Sequence, residues 1–124
     1  MKSLLITLGV FVLQVVQPWG TGMVASGTAP DGTHCVVEQS FNGWDAGGEW
    51  YTVRLYTRQP GKEWHDHYID HEASRWGSCT ISFSEDSTRI YTIGGDGKRR
   101  SFDLGGGSLS GPPPHLPEEM RDRP

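Results

Sequence analysis

The stretch that most constrains the fold is 79–104, where strand and turn signals follow each other without interruption. Cys79, Ile81 and Phe83 alternate with Thr80, Ser82 and Ser84, the period of two that gives a strand one buried and one wet face. Ser84-Glu85-Asp86-Ser87 supplies short polar side chains that bond their own backbone and close a tight turn. Ile90-Tyr91-Thr92-Ile93 is β-branched and aromatic and reads as the returning strand. Gly94-Gly95-Asp96-Gly97 reverses the chain again, because glycine takes positive φ without a Cβ penalty, and 99–104 supplies a third strand. The pattern predicts a three-stranded antiparallel meander.

Upstream, 33–40 alternates as a strand with at least one buried side. Residues 49–58 put Tyr51, Val53 and Leu55 on one face and Trp50, Thr52, Arg54 and Tyr56 on the other, so both faces carry large groups and a central strand is predicted. Between them, 41–48 is too rich in glycine for a helix and reads as a long hairpin loop. Its Phe41 and Trp44 either anchor a partner or fold back over the edge of a small core, the commoner arrangement for large aromatics. Residues 27–32 read as a polar turn, and Pro60-Gly61 as another.

Read with its spacing, the meander resembles a blade of the WD-repeat (β-transducin-like) propeller family. Phe83-Ser84-Glu85-Asp86-Ser87 stands where that family writes F-S-P-D-G, and Phe102-Asp103 where it writes W-D. The resemblance implies a structural tetrad at His71, Thr92, Asp96 and Phe102, although Phe102 has no indole N–H and Asp70 replaces the glycine before His71. A fainter echo runs through Pro30-Asp31-Gly32-Thr33, Val53-Arg54-Leu55-Tyr56 and Gln59-Pro60-Gly61-Lys62-Glu63, making about one and a half blades. Propellers close with four to eight blades, so 124 residues cannot close one. The expectation is an all-β domain over 30–104, with about six antiparallel strands in two blade-like meanders packed face to face. The resemblance implies a non-catalytic protein-interaction module.

The first residues, Met1-Lys2-Ser3, precede 4–16, which is apolar except for Thr7, Gly9 and Gln14 and is ended by Gln17-Pro18. A basic start and an apolar run of that length fit a secretory signal peptide over 1–22, cleaved near Gly20-Thr21-Gly22 or at Val24-Ala25-Ser26. Export to the periplasm or exterior follows. The alternative is an uncleaved membrane anchor over 4–16 with Trp19 at the interface. In an exported chain, Cys35 and Cys79 predict one disulfide stapling the two units, for about 2–4 kcal/mol, with two free buried thiols as the alternative. The net charge of −4, with no basic stripe beyond Lys98-Arg99-Arg100, argues against nucleic acid. Residues 105–124, rich in glycine and proline, predict a disordered tail, in which Pro112-Pro113-Pro114 could dock as a polyproline helix or serve as a linker.

One segment tempts a chemical reading. Trp64-His65-Asp66-His67-Tyr68-Ile69-Asp70-His71 puts His65, His67 and His71 on one face of a strand, where three imidazoles could hold zinc or copper if the chain bends near Ile69. The run also resembles the metallo-β-lactamase signature H-x-H-x-D-H, with one residue inserted and no matching downstream ligands. No G-x-S-x-G elbow, Gly-Lys-Ser/Thr phosphate loop or Cys-x-x-Cys pair occurs. With no catalytic motif found, the expectation is the one the WD-repeat resemblance implies: a protein without catalytic activity or cofactor, binding another protein or itself through sheet edges or the Trp44 loop. Metal binding through the histidines is the alternative.

Overall fold

The computed structural model describes residues 10–11 and 21–116, with the backbone alone at 10, 11, 71 and 72. The chain forms strands β1 (Val10–Phe11), β2 (Gly22–Thr28), β3 (His34–Asp45), β4 (Gly48–Arg58), β5 (Trp64–Ala73), β6 (Thr80–Phe83), β7 (Arg89–Ile93), β8 (Arg99–Asp103) and β9 (Ser108–Ser110). One antiparallel sheet has the order β2-β3-β4-β5-β9, and the other is the β6-β7-β8 meander with the two residues of β1 beside β6. The all-β expectation holds, as does the pairing of two sheets without a closed barrel or propeller.

Local chemistry makes the second sheet as the alternation predicts. The Ser84 and Thr88 hydroxyls both donate to Asp86 Oδ1, at 2.7 Å each, and tie the β6–β7 turn. Ile81, Phe83 and Ile90 then face inward, where they meet Val24, Cys35, Val37, Val53 and Leu55 of the larger sheet in one buried cluster. Burying these groups on each other supplies the main driving force, at roughly 25 cal/mol per Å² of apolar surface. Trp76 and Cys79, on the crossover from β5 to β6, and Leu104, just after β8, close the ends of that core.

The folded unit extends beyond 30–104 on both sides. Gly22–Thr28 is a strand with Val24 and Ala25 fully buried, so the signal-cleavage alternative at Val24-Ala25-Ser26 would cut through β2. The remaining signal or anchor run, 1–9 and 12–20, lies outside the described residues. Residues 41–48 are not a loop: β3 and β4 continue paired to Asp45 and Gly48, leaving only Ala46 and Gly47 as the turn. Backbone pairing there needs no buried side chain, which is why the glycine-rich composition misled.

The predicted disorder from 105 also fails over 105–116. Ser108–Ser110 pairs with Trp64–Asp66 of β5, and Leu116 is 4% exposed in a second cluster with Val36, Tyr56 and Trp64 on the outer face of the larger sheet. Gly107 permits the approach: at φ 79° it lies so close to β5 that a Cβ would meet the Asp66 carbonyl and the His67 ring. Residues 117–124 lie outside the described residues.

Candidate functional site

The β3–β4 hairpin runs past the end of the sandwich. Its last residues on β3, from Ser40 to Asp45, lose the burial that marks His34 to Gln39. An extra residue at Asn42 breaks the register between Phe41↔Tyr51 and Gly43↔Trp50, a bulge that brings Phe41 and Trp44 to one side. Trp44 is 72% exposed and Phe41 40% exposed, so the expected folding back over the core does not occur for Trp44. The hairpin carries these residues beyond the central core, to which β3 and β4 contribute Cys35, Val37, Val53 and Leu55.

The tip is nevertheless braced. Phe41 meets Trp44 edge-on at 5.7 Å and Tyr51 edge-on at 5.5 Å, and Tyr51 is buried, so the aromatics form a ladder from core to solvent. Such pairs contribute about 0.5–1.5 kcal/mol each beyond area burial. The Phe41 N–H donates to Thr21 Oγ1 at 2.8 Å, the Gly47 N–H to Asp45 Oδ1 at 2.8 Å, and Asn42 Nδ2 to Thr52 Oγ1 at 2.6 Å. A large aromatic held in place at the surface can bind without first losing much freedom.

Among the described residues the histidines of β5 do not gather into a metal site. The chain does kink at Ile69, where the register passes from Arg54↔Tyr68 to Val53↔Asp70. His67 is buried rather than solvent-facing, with Nε2 2.9 Å from Thr57 Oγ1 and its ring edge-on to Phe102 at 5.7 Å. His65 is half-buried, and the His71 side chain lies outside the described residues. Among the described residues no group of three or more His, Cys, Asp or Glu could hold a metal ion.

Burial, reinforced by His65, holds the His67 imidazole below its ordinary value, and Asp66 and Asp103 only partly oppose this. The folded chain therefore takes up that proton less readily than the unfolded chain. The stability tied to neutral His67 is fully present above about pH 6.5 and declines as pH falls from there through the lower folded value. Urea unfolding at about pH 5 and about pH 7.5 should show this loss on acidification, and His67→Gln should flatten it. An unchanged pH slope in that variant would assign the effect elsewhere.

Among the described side chains, the tetrad members implied by the WD-repeat resemblance, Thr92, Asp96 and Phe102, are not bonded to one another. Thr92 Oγ1 is buried without a hydrogen-bond partner, Asp96 is bound by Arg100 at 2.8 Å and by the Lys98 N–H, and Phe102 packs on His67. Bonding to Arg100 holds the Asp96 carboxyl below the usual carboxylate range. Asp96 also helps line a cavity of about 410 Å³ with Asp70, Ser74, Arg75, Trp76 and Lys98, a surface of mixed charge.

The expected disulfide is likewise not formed: Cys35 and Cys79 are free thiols. They share the central cluster, but each sulfur points at a backbone carbonyl, Cys35 at Gly27 and Cys79 at Thr80. Burial pushes the Cys35 thiol far up, with Cys79 adding to the effect, and pushes Cys79 up to about 12. Neither is poised as a nucleophile.

Two buried polar groups escaped the sequence reading. Gln39 reaches inward to the crossover: its Nε2 donates to the Trp76 carbonyl at 3.1 Å, and its Oε1 accepts from the Trp76 N–H at 2.7 Å. Glu38, on the opposite face, accepts from the His115 N–H at 2.7 Å and lies 3.3 Å from His115 Nδ1. A buried-strand position occupied by Glu or Gln is the one available signal, since such groups are buried only with partners. Comparison of the chain with known protein families, with curated proteins and with solved structures returns no match.

Proposed function

We propose that this chain is a non-catalytic interaction module that engages a protein partner through the β3–β4 hairpin tip. The carrying observation is Trp44, 72% exposed at the end of a braced aromatic ladder. Rigid aromatics surrounded by polar rim residues are the residue type that dominates binding energy in protein interfaces. Here Asn42, Asp45 and Glu49 supply the rim.

Sheet edges offer a secondary contact for self-association, and export by residues 1–22 belongs to the same reading, with cleavage after Gly22 removing β1 and the Thr21 hydroxyl while the Phe41–Trp44–Tyr51 ladder stays. The likeness of β6–β8 to a WD-repeat blade rests on Phe83–Phe102 spacing and turn chemistry, with no tetrad bond among the described side chains. Affinity capture from the native host, comparing the chain with Trp44→Ala, tests the reading. A specific partner should bind the variant about 30-fold more weakly, the loss expected for a hot-spot aromatic worth about 2 kcal/mol. The variant should stay folded and lose no more than about 0.5–1.5 kcal/mol, the contribution of the Phe41–Trp44 ring contact. Equal recovery of the same proteins by both chains would refute the reading.

A further inference from the structure

We propose that the outer face of the larger sheet is a recognition groove for a proline-rich, apolar-ended peptide, and that residues 111–116 are its built-in occupant. The groove floor is Val36 on β3, Tyr56 on β4 and Trp64 on β5, three buried side chains on adjacent strands, with Met23 packed against them. At its edge stands the Glu38 carboxylate, its side chain 4% exposed.

The seated segment matches this floor in three ways. Pro113 is buried, as is Leu116, whose N–H donates to the Pro113 carbonyl at 3.2 Å and so turns the chain into the floor. The His115 N–H donates to the Glu38 carboxylate and its ring nitrogen lies 3.3 Å away, so the buried Glu38 side chain has a polar partner in the segment. Pro112-Pro113-Pro114 arrives with φ already restricted, so little freedom is lost on docking. An aromatic floor, a proline run and one charge-directed anchor are the elements of polyproline-type recognition.

The segment is attached as a ligand would be. It follows Gly105-Gly106-Gly107 and the three-residue β9, and its contacts are to side chains rather than to a sheet ladder. Release requires breaking few bonds, and an external peptide must outcompete only the effective concentration of the tethered copy, typically millimolar. The partner is therefore another protein that presents an exposed proline run followed within a turn by a large aliphatic residue. This surface is independent of the hairpin tip.

The test uses the full chain. Leu116→Asp empties the groove by placing a charge where the apolar anchor sat, and His115→Pro empties it by deleting the backbone donor to Glu38. A synthetic peptide of residues 110–117 is titrated into each, with Trp64 fluorescence and calorimetry as readouts. The variants should bind it saturably and at least tenfold more tightly than the unaltered chain, and adding Glu38→Gln should weaken that binding about tenfold. A peptide with aspartate in place of its leucine should not bind. No binding to either folded variant overturns the proposal. Failure of both variants to fold also overturns it, because the segment would then be part of the core. Dimers that grow with concentration in the unaltered chain, without peptide binding to the variants, would assign the groove to exchange between copies and overturn it as well.

Discussion

Trp76→Ala should lower stability by about 3–5 kcal/mol, the range for removing a buried large aromatic. The residue is 2% exposed on the crossover that carries the chain from β5 to β6, and it contacts both sheets' core cluster. One face of its indole is so closely covered by Gly94 that a Cβ there would overlap the ring, and Arg100 lies over the ring at 5.5 Å. With native stabilities of about 5–15 kcal/mol for domains in general, this loss would leave a large fraction unfolded near body temperature. Gly94→Val should cause a comparable loss from the opposite side, by overfilling the same contact. Urea unfolding of both variants measures it. A change under about 1 kcal/mol in Trp76→Ala would mean that the crossover does not hold the two sheets together.

Gln39→Leu should cost about 2–4 kcal/mol despite similar volume and greater hydrophobicity. Gln39 is fully buried, and its amide satisfies both the N–H and the carbonyl of Trp76. An apolar replacement leaves two backbone groups buried without partners, each costing about 1–3 kcal/mol. Gln39→Glu should also destabilise, since a carboxylate repels the Trp76 carbonyl that the amide nitrogen now serves. Denaturant midpoints for the two variants give the comparison. A Leu variant as stable as the original would show that water takes over both backbone groups.

The residues made the strands legible because alternation is a local property. Ile81, Phe83 and Ile90 face inward for the same reason that Thr80, Ser82 and Ser84 are half-wet. The turns at Ser84–Ser87 and Gly94–Gly97 were equally readable, since Asp86 and the glycines act within a few residues. His65 and His67 share a strand face as read, but an extra residue at Ile69 brings Asp70 onto that face opposite Val53, and the burial of His67 depends on Phe102 of the other sheet.

By itself, the order of residues determined an antiparallel all-β chain, its reversals and the two-sheet architecture, because period and turn chemistry are set by neighbours in sequence. Tertiary structure alone decided that Trp44 projects while Trp76 is buried, that Cys35 and Cys79 remain thiols, and that Leu116 has a place on the sheet. Each of those outcomes depends on which surface lies opposite after folding. The core's choice of members, the direction of a sulfur and an apolar floor built from three strands arise only when segments far apart in the chain meet.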